Sequence, residues 1–189
     1  ATYGLTGTLP AVSGANLTTL NASNVSSGTL NASRYVDSGK IGQVVNAVIT
    51  NDATTTGTQA DSNVTASITP SASSSKVLIL ISDSVKLEDD TGDMGAGFGI
   101  KRAISGGATS TILDDVQPYQ GLYFSTNWNG STNSRNFRTR YNITYLDSPS
   151  TTSATTYTLM IEAYNINSGG ITSSHDNNWS TITLLEVLA

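Results

Sequence analysis

The sequence predicts an all-β protein: an antiparallel β-sandwich head of jelly-roll type, preceded by an extended fibrous shaft. Three observations carry that expectation. Charged residues make up only 12% of the 189 residues, and Ser, Thr, Asn and Gly take their place; these residues suit strands and tight turns rather than helices. Apolar residues then alternate with polar ones in run after run beyond position 42, the period of a half-buried strand. Finally, the runs recur about every 10–20 residues between Gly, Pro, Asn and Ser clusters, giving about eight strands and no helix, the pattern of a sandwich.

The first 33 residues hold no Lys, Arg, Asp, Glu or His. Gly7-Thr8-Leu9-Pro10-Ala11 returns as Gly28-Thr29-Leu30-Asn31-Ala32. Single apolar residues, Leu9, Leu20 and Leu30 among them, punctuate the stretch with neither helical nor strict two-residue spacing. A single copy cannot bury a core from so few. A disordered linker is one reading. The other is a shaft in which several identical chains pool Leu and Val on a common axis; the recurring apolar residues and absent charge favour it, since solvated linkers usually carry charge. Extended, the stretch reaches on the order of 100 Å at ~3.3 Å per residue. Ala1 falls inside a repeat, so the natural chain is expected to continue upstream. Arg34 and Asp37 end the uncharged tract. The expected domains are therefore residues 1–38, a shaft, and 42–189, a head.

Within the head, Gln43–Thr50 and Asn63–Thr69 read as strands, with a loop or weak edge strand between them. Val64, Ala66 and Ile68 share one face of the second. Val77-Leu78-Ile79-Leu80-Ile81 is apolar on both faces, so its second side needs cover. The opposing sheet plus a neighbouring subunit would supply it, which makes Val77, Ile79 and Ile81 candidates for core or subunit interface. Met94–Ile104 sets Met94, Ala96, Phe98 and Ile100 on one face, with Arg102 interrupting, and Gly95, Gly97 and Gly99 on the other. Three glycines on one strand face imply close approach of another backbone or a bulky ring. Thr109–Leu113, Asn136–Leu146, Thr155–Ile166 and Ser180–Leu188 complete the strands, and 117–135 reads as a long aromatic surface loop or a strand flanked by loops. The closing run carries no polar tail, so it is expected to lie inside a sheet.

The formal net charge is −5 with no basic stripe, which excludes a nucleic-acid-binding surface. No apolar run approaches the length of a membrane-spanning helix, and membrane insertion is not expected. There is no cysteine, so disulfides and thiolate metal sites are excluded. Glu88, Asp89, Asp90 and Asp93 match no EF-hand spacing and read as a solvated acidic turn; no metal or cofactor is expected. His175, the only histidine, lies in Ser173-Ser174-His175-Asp176. Triad partners come from separate parts of a fold, so the run is not expected to be catalytic, and the protein is not expected to be an enzyme. Arg138 and Arg140 share a strand face and could meet Asp114 and Asp115 or an anionic glycan. Tyr119, Tyr123, Phe124, Trp128 and Trp179, with His175, are the candidates for receptor binding: flat apolar rings beside Asn and Asp are what sugar recognition needs, and equally what a subunit interface needs.

Taken in order, several segments resemble a known family. These are Gly42-Gln43-Val44-Val45-Asn46-Ala47-Val48, Ile68-Thr69-Pro70-Ser71 through Lys76-Val77-Leu78-Ile79-Leu80, Phe98-Gly99-Ile100-Lys101-Arg102, Tyr145-Leu146-Asp147-Ser148-Pro149 and Thr181-Ile182-Thr183-Leu184-Leu185-Glu186-Val187. The set resembles the C-terminal domain of bacteriophage tail-fibre and related virion proteins, and the Gly-Thr-Leu-x-Ala repeats resemble their shafts. The acidic stretch Leu87–Asp93 and the aromatic insert 117–135 depart from it. The resemblance implies a homotrimeric fibre with a head like those of the tumour-necrosis-factor and complement families, attached to other virion proteins and meeting a host-surface glycan or protein outside the cell. A capsid decoration protein anchored by its N-terminal arm is the alternative.

Overall fold

The computed structural model describes residues 39–89, 93–115, 121–124, 135–166 and 169–189. Tyr119, Trp128, Leu9, Leu20, Leu30 and the whole of 1–38 lie outside the described residues, as does Asp90.

Eleven strands are present among the described residues, and the regular structure besides them is one 3-10 turn, His175–Asn177. The strands are β1 (Ile41–Ile49), β2 (Ala53–Thr55), β3 (Ala60–Ile68), β4 (Lys76–Asp89), β5 (Met94–Ile104), β6 (Thr109–Asp115), β7 (Leu122–Phe124), β8 (Arg135–Asp147), β9 (Thr155–Tyr164), β10 (Gly170–Ser173) and β11 (Ser180–Val187). In one six-stranded sheet β11, β10 and β8 all pair with β4, β1 pairs with β11 and β2 with β10. The second runs β3-β9-β5-β6, with β7 also on β5. Every pairing is antiparallel. Successive long strands alternate between the sheets, the winding of a jelly roll.

The core follows the alternation. Val64, Ile68, Ile79, Leu87, Phe98, Ile100, Tyr157, Leu159, Ile182 and Leu184 face one another between the sheets, all but fully buried. Val77, Ile79 and Ile81 belong to this core at 0%, 0% and 3% exposure in a single chain. The strand's outward apolar residues are Leu78 and Leu80 instead, so cover from a neighbour would concern that pair, not Val77, Ile79 and Ile81.

Three buried polar contacts organise the sandwich. Arg102, the interruption on β5, reaches from one sheet to Asp147 at the end of β8 in the other, at 2.8 and 2.9 Å, and the Tyr157 hydroxyl donates to the same carboxylate at 2.8 Å. Arg102 and Tyr157 are cross-strand partners, so one carboxylate ties two strands across the core. Glu186, 1% exposed, accepts from the Ser71 amide and hydroxyl at 2.6 Å each and from Gln43 at 2.9 Å. This fastens the 70–75 turn. The third contact, around Asp83, belongs to the site below.

The glycine face of β5 is closely approached, as its sequence implied. A Cβ on Gly99 would lie 2.8 Å from the Leu113 carbonyl oxygen and 2.9 Å from the Met160 methyl. Tyr123 and Tyr164 both stand opposite Gly95, their rings 6.4 Å apart.

Strand boundaries match the sequence within a few residues, with two departures. β4 runs on to Asp89, so Leu87, Glu88 and Asp89 are strand, not acidic turn. β10, at Gly170–Ser173, was not foreseen, whereas β7 in the 117–135 stretch agrees with the strand alternative for it.

Candidate functional site

The site grows from a break in the six-stranded sheet. β10 pairs with β4 from Gly170↔Glu88 to Ser173↔Val85, and β11 resumes at Thr181↔Ser82. Seven residues, 174 to 180, therefore stand opposite two, Asp83 and Ser84. The surplus leaves the sheet as a bulge built on the 3-10 turn. Ser174 (φ 56°) and Asp176 (φ 57°) take left-handed backbone, which non-glycine residues adopt at a cost and hold when surrounding structure enforces it.

Asp83 does the enforcing. It is fully buried, and one oxygen accepts from the Ser173 hydroxyl (2.9 Å), the Ser174 amide (3.2 Å) and the Ser180 hydroxyl (2.7 Å). Both ends of the bulge are thus held by one carboxylate, and the Ser84 amide donates to Ser180 at 3.0 Å. No described cation is among these partners. Burial pushes the Asp83 carboxyl above its ordinary range, and the hydrogen bonds only partly oppose it.

The bulge displays Trp179, 56% exposed, on the sheet's outer face. The Arg140 guanidinium lies over the indole at 4.3 Å from its centre and donates to the Trp179 carbonyl at 3.0 Å. Such stacking contributes roughly 0.5–1 kcal/mol at an exposed position. Arg138, two residues along the same face, pairs with Asp176 at 3.2 Å. The arginines thus meet the bulge; Asp114 instead accepts from Gln59 at 3.3 Å on the other sheet. The result is a braced indole flanked by two guanidiniums and a carboxylate, an arrangement able to stack on a sugar ring and hydrogen-bond its hydroxyls.

His175 does not join that surface. It is 7% exposed, with Nδ1 3.9 Å from Asp52 and Nε2 3.0 Å from Asp176, the latter without hydrogen-bond geometry. Its burial sets it apart from the exposed Trp179 among the receptor-binding candidates. Ser173 donates to Asp83, not to the imidazole.

Tyr123 and Phe124 lie elsewhere. The Tyr123 hydroxyl donates to Asp93 at 2.8 Å. Phe124 packs on Phe137 at 4.0 Å between ring centres, and Phe137 has the inward parity of β8, opposite to Arg138 and Arg140. The aromatic candidates therefore divide between the outer sheet face and one end of the sandwich. Near Tyr123, burial followed by the charge of Asp114 raises the Glu162 carboxyl above its ordinary range. Among the described residues no cluster of three or more His, Asp or Glu could hold a metal ion, and no helix is long and apolar enough to cross a membrane.

No family model matches the chain, and no curated protein matches it. Solved structures do. The infectious bursal disease virus Gx strain is similar over 80% of this chain and 38% of that one, at 14% identity and TM-score 0.38. The VP2 subviral particle of the same virus is similar over 80% and 39%, at 12% identity and TM-score 0.39. The T13 particle of that virus matches over 78% and 36%, at 11% identity and TM-score 0.37. The chain spans less than two fifths of these proteins' length.

Proposed function

We propose that this chain is a virion structural protein: one copy of a homotrimeric phage tail fibre whose head attaches the particle to the host surface. It works without catalysis and without a cofactor, alongside other virion proteins and outside the cell. The observation that carries the attachment role is Trp179, held half-exposed on a strained bulge by a buried carboxylate and braced by Arg140. A side chain kept in water at the cost of two left-handed residues is organised for contact, not for the fold. The ordered motifs of the head and the Leu-spaced stretch 1–38, uncharged through residue 33, support the fibre reading. Attachment would rest on avidity, since several weak sites on one assembly bind a surface far more tightly than one.

The test is host adsorption by particles carrying Trp179→Ala, with the protein's native mass measured in parallel. Adsorption should fall at least tenfold while the native mass is unchanged. Unaltered adsorption would refute the attachment role, and dissociation would place the ring in a subunit contact. Electron microscopy of particles should show a projecting fibre; a lattice of knobs on the shell would make the protein a decoration protein instead.

A further inference from the structure

From the outer face of the six-stranded sheet we infer that its Val44–Leu146 end is where a second copy of this chain docks. This rests on the trimer reading above and names the surface it would use. Register sets four apolar side chains in one row from edge to edge: Val44 opposite Leu185, Leu185 opposite Leu78, Leu78 opposite Leu146. The row crosses three strand spacings, about 14 Å. Ile41 and Val187 pair in the adjoining row. Val44, Leu146 and Ile41 are 57%, 49% and 48% exposed. A strand face meeting water normally carries polar residues, and three of the four strands obey that rule further along, where Ser82 stands opposite Thr181 and Asn142, although Val48 beside Thr181 is 61% exposed. On this outer face only the Val44–Leu146 row is apolar across all four strands.

Composition and position argue for the occupant. The row is flanked on one side by Asn46, Thr183, Leu80 and Thr144 and on the other by Val187 and the exposed Lys76, while the acids of these strand ends, Glu186 and Asp147, are buried inward. An uncharged apolar centre with a polar rim is the anatomy of an interface between protein copies. The row gives the centre of such a contact; a stable one buries about 800 Å² on each partner.

Chain entry adds the second argument. The Gly39 amide donates to the Leu188 carbonyl at 2.6 Å, and Gly39 lines a shallow hollow with Lys76, Leu146 and Val187. Gly39, the first described residue, therefore lies beside this row. Copies gathered through the charge-free residues 1–33 would bring their rows together at raised effective concentration.

The chain has no cysteine, so introduced thiols report without background. In the full chain, Val44→Cys/Leu146→Cys should form covalent dimers and higher species on mild oxidation. The two positions are too far apart on one sheet to bridge each other, since a disulfide needs Cα atoms within about 7 Å. Thr111→Cys, exposed on the other sheet, should stay uncrosslinked. Leu146→Glu should raise the concentration at which the oligomer dissociates at least tenfold, with its circular dichroism unchanged. If the full chain is an oligomer that neither crosslinks at 44 and 146 nor weakens with Leu146→Glu, the docking inference is overturned and the fibre reading survives. A monomer with freely reactive thiols overturns both. A monomer whose thiols are shielded means that residues 1–38 cover the row, which also overturns the inference. Crosslinking stays informative even if Leu146→Glu fails to fold.

Discussion

Replacing Asp147 with alanine should be among the most damaging single changes in the head. The carboxylate is 7% exposed, and its Arg102 partner 20%. Its removal leaves a largely buried guanidinium without its counter-charge, and breaking a buried pair from one side costs about 3–5 kcal/mol. The fully buried Tyr157 hydroxyl also loses its acceptor. That hydroxyl already titrates above its ordinary range, through burial and then through Asp147, with Arg102 opposing. Tyr157→Phe removes one hydrogen bond to a charged group but leaves the ion pair, so it should cost less, about 1.5–3 kcal/mol. Near 2–4 °C per kcal/mol for a chain of this size, Asp147→Ala should lower the melting temperature by on the order of 10 °C, and Tyr157→Phe by roughly half that. Thermal melts by circular dichroism at neutral pH give both values, and the double variant tests coupling. Since both single changes disturb one network, the double should cost clearly less than their sum. An Asp147→Ala melt within 2 °C of the parent would refute the reasoning, because the contact would then carry no inter-sheet linkage.

Acid titration should separate two other buried carboxylates. Glu186 is opposed by burial, but hydrogen bonds from Ser71 and Gln43 outweigh that and hold its carboxyl at about 2. Being lowered from 4.5, it adds stability above pH 4.5 that is lost as pH falls toward 2; Glu186→Gln should flatten that part of a urea-midpoint-versus-pH curve. Asp83 has the opposite sign. Its raised pKa makes the folded state bind the proton more tightly, so stability declines as pH rises from 3.8 through the raised value. Asp83→Asn should remove that decline and stay within about 1 kcal/mol of the parent at pH 7, whereas Asp83→Ala, which strands two hydroxyls and an amide, should cost at least ~2 kcal/mol by urea denaturation. Gly99→Ala should cost about 1–3 kcal/mol, because the Leu113 carbonyl cannot retreat without breaking its ladder; an unchanged urea midpoint would mean the strands slide apart freely.

Most of the sandwich was legible because alternation survives wherever the inward residue is apolar. Asn136–Leu146 and Thr155–Ile166 show this within two residues at either end. The second half of β4 was missed because Asp83 and Asp89 occupy inward positions and hide the period. Ile81, Val85 and Leu87 kept it, and reading past one buried acid would have found the strand. β7 and β10 are three and four residues long, too short for any period. Trp179 was recognisable as a candidate, but its partner was not: Arg140 stands 39 residues earlier and meets it only because β8 and β11 flank β4. The burial of His175 was not legible, since a polar sequence context says nothing about how exposed a ring is.

The interrupted pairing along β4 carries an evolutionary consequence. One continuous strand templates two shorter ones, so the connection between them is relieved of any part in sheet continuity. Substitutions at 176, 178 and 179, or small insertions there, can accumulate without disturbing the ladder, provided the three serines clasped by Asp83 persist. If the bulge attaches the particle as proposed, a lineage could alter what it adheres to by rewriting a handful of codons while inheriting the scaffold intact.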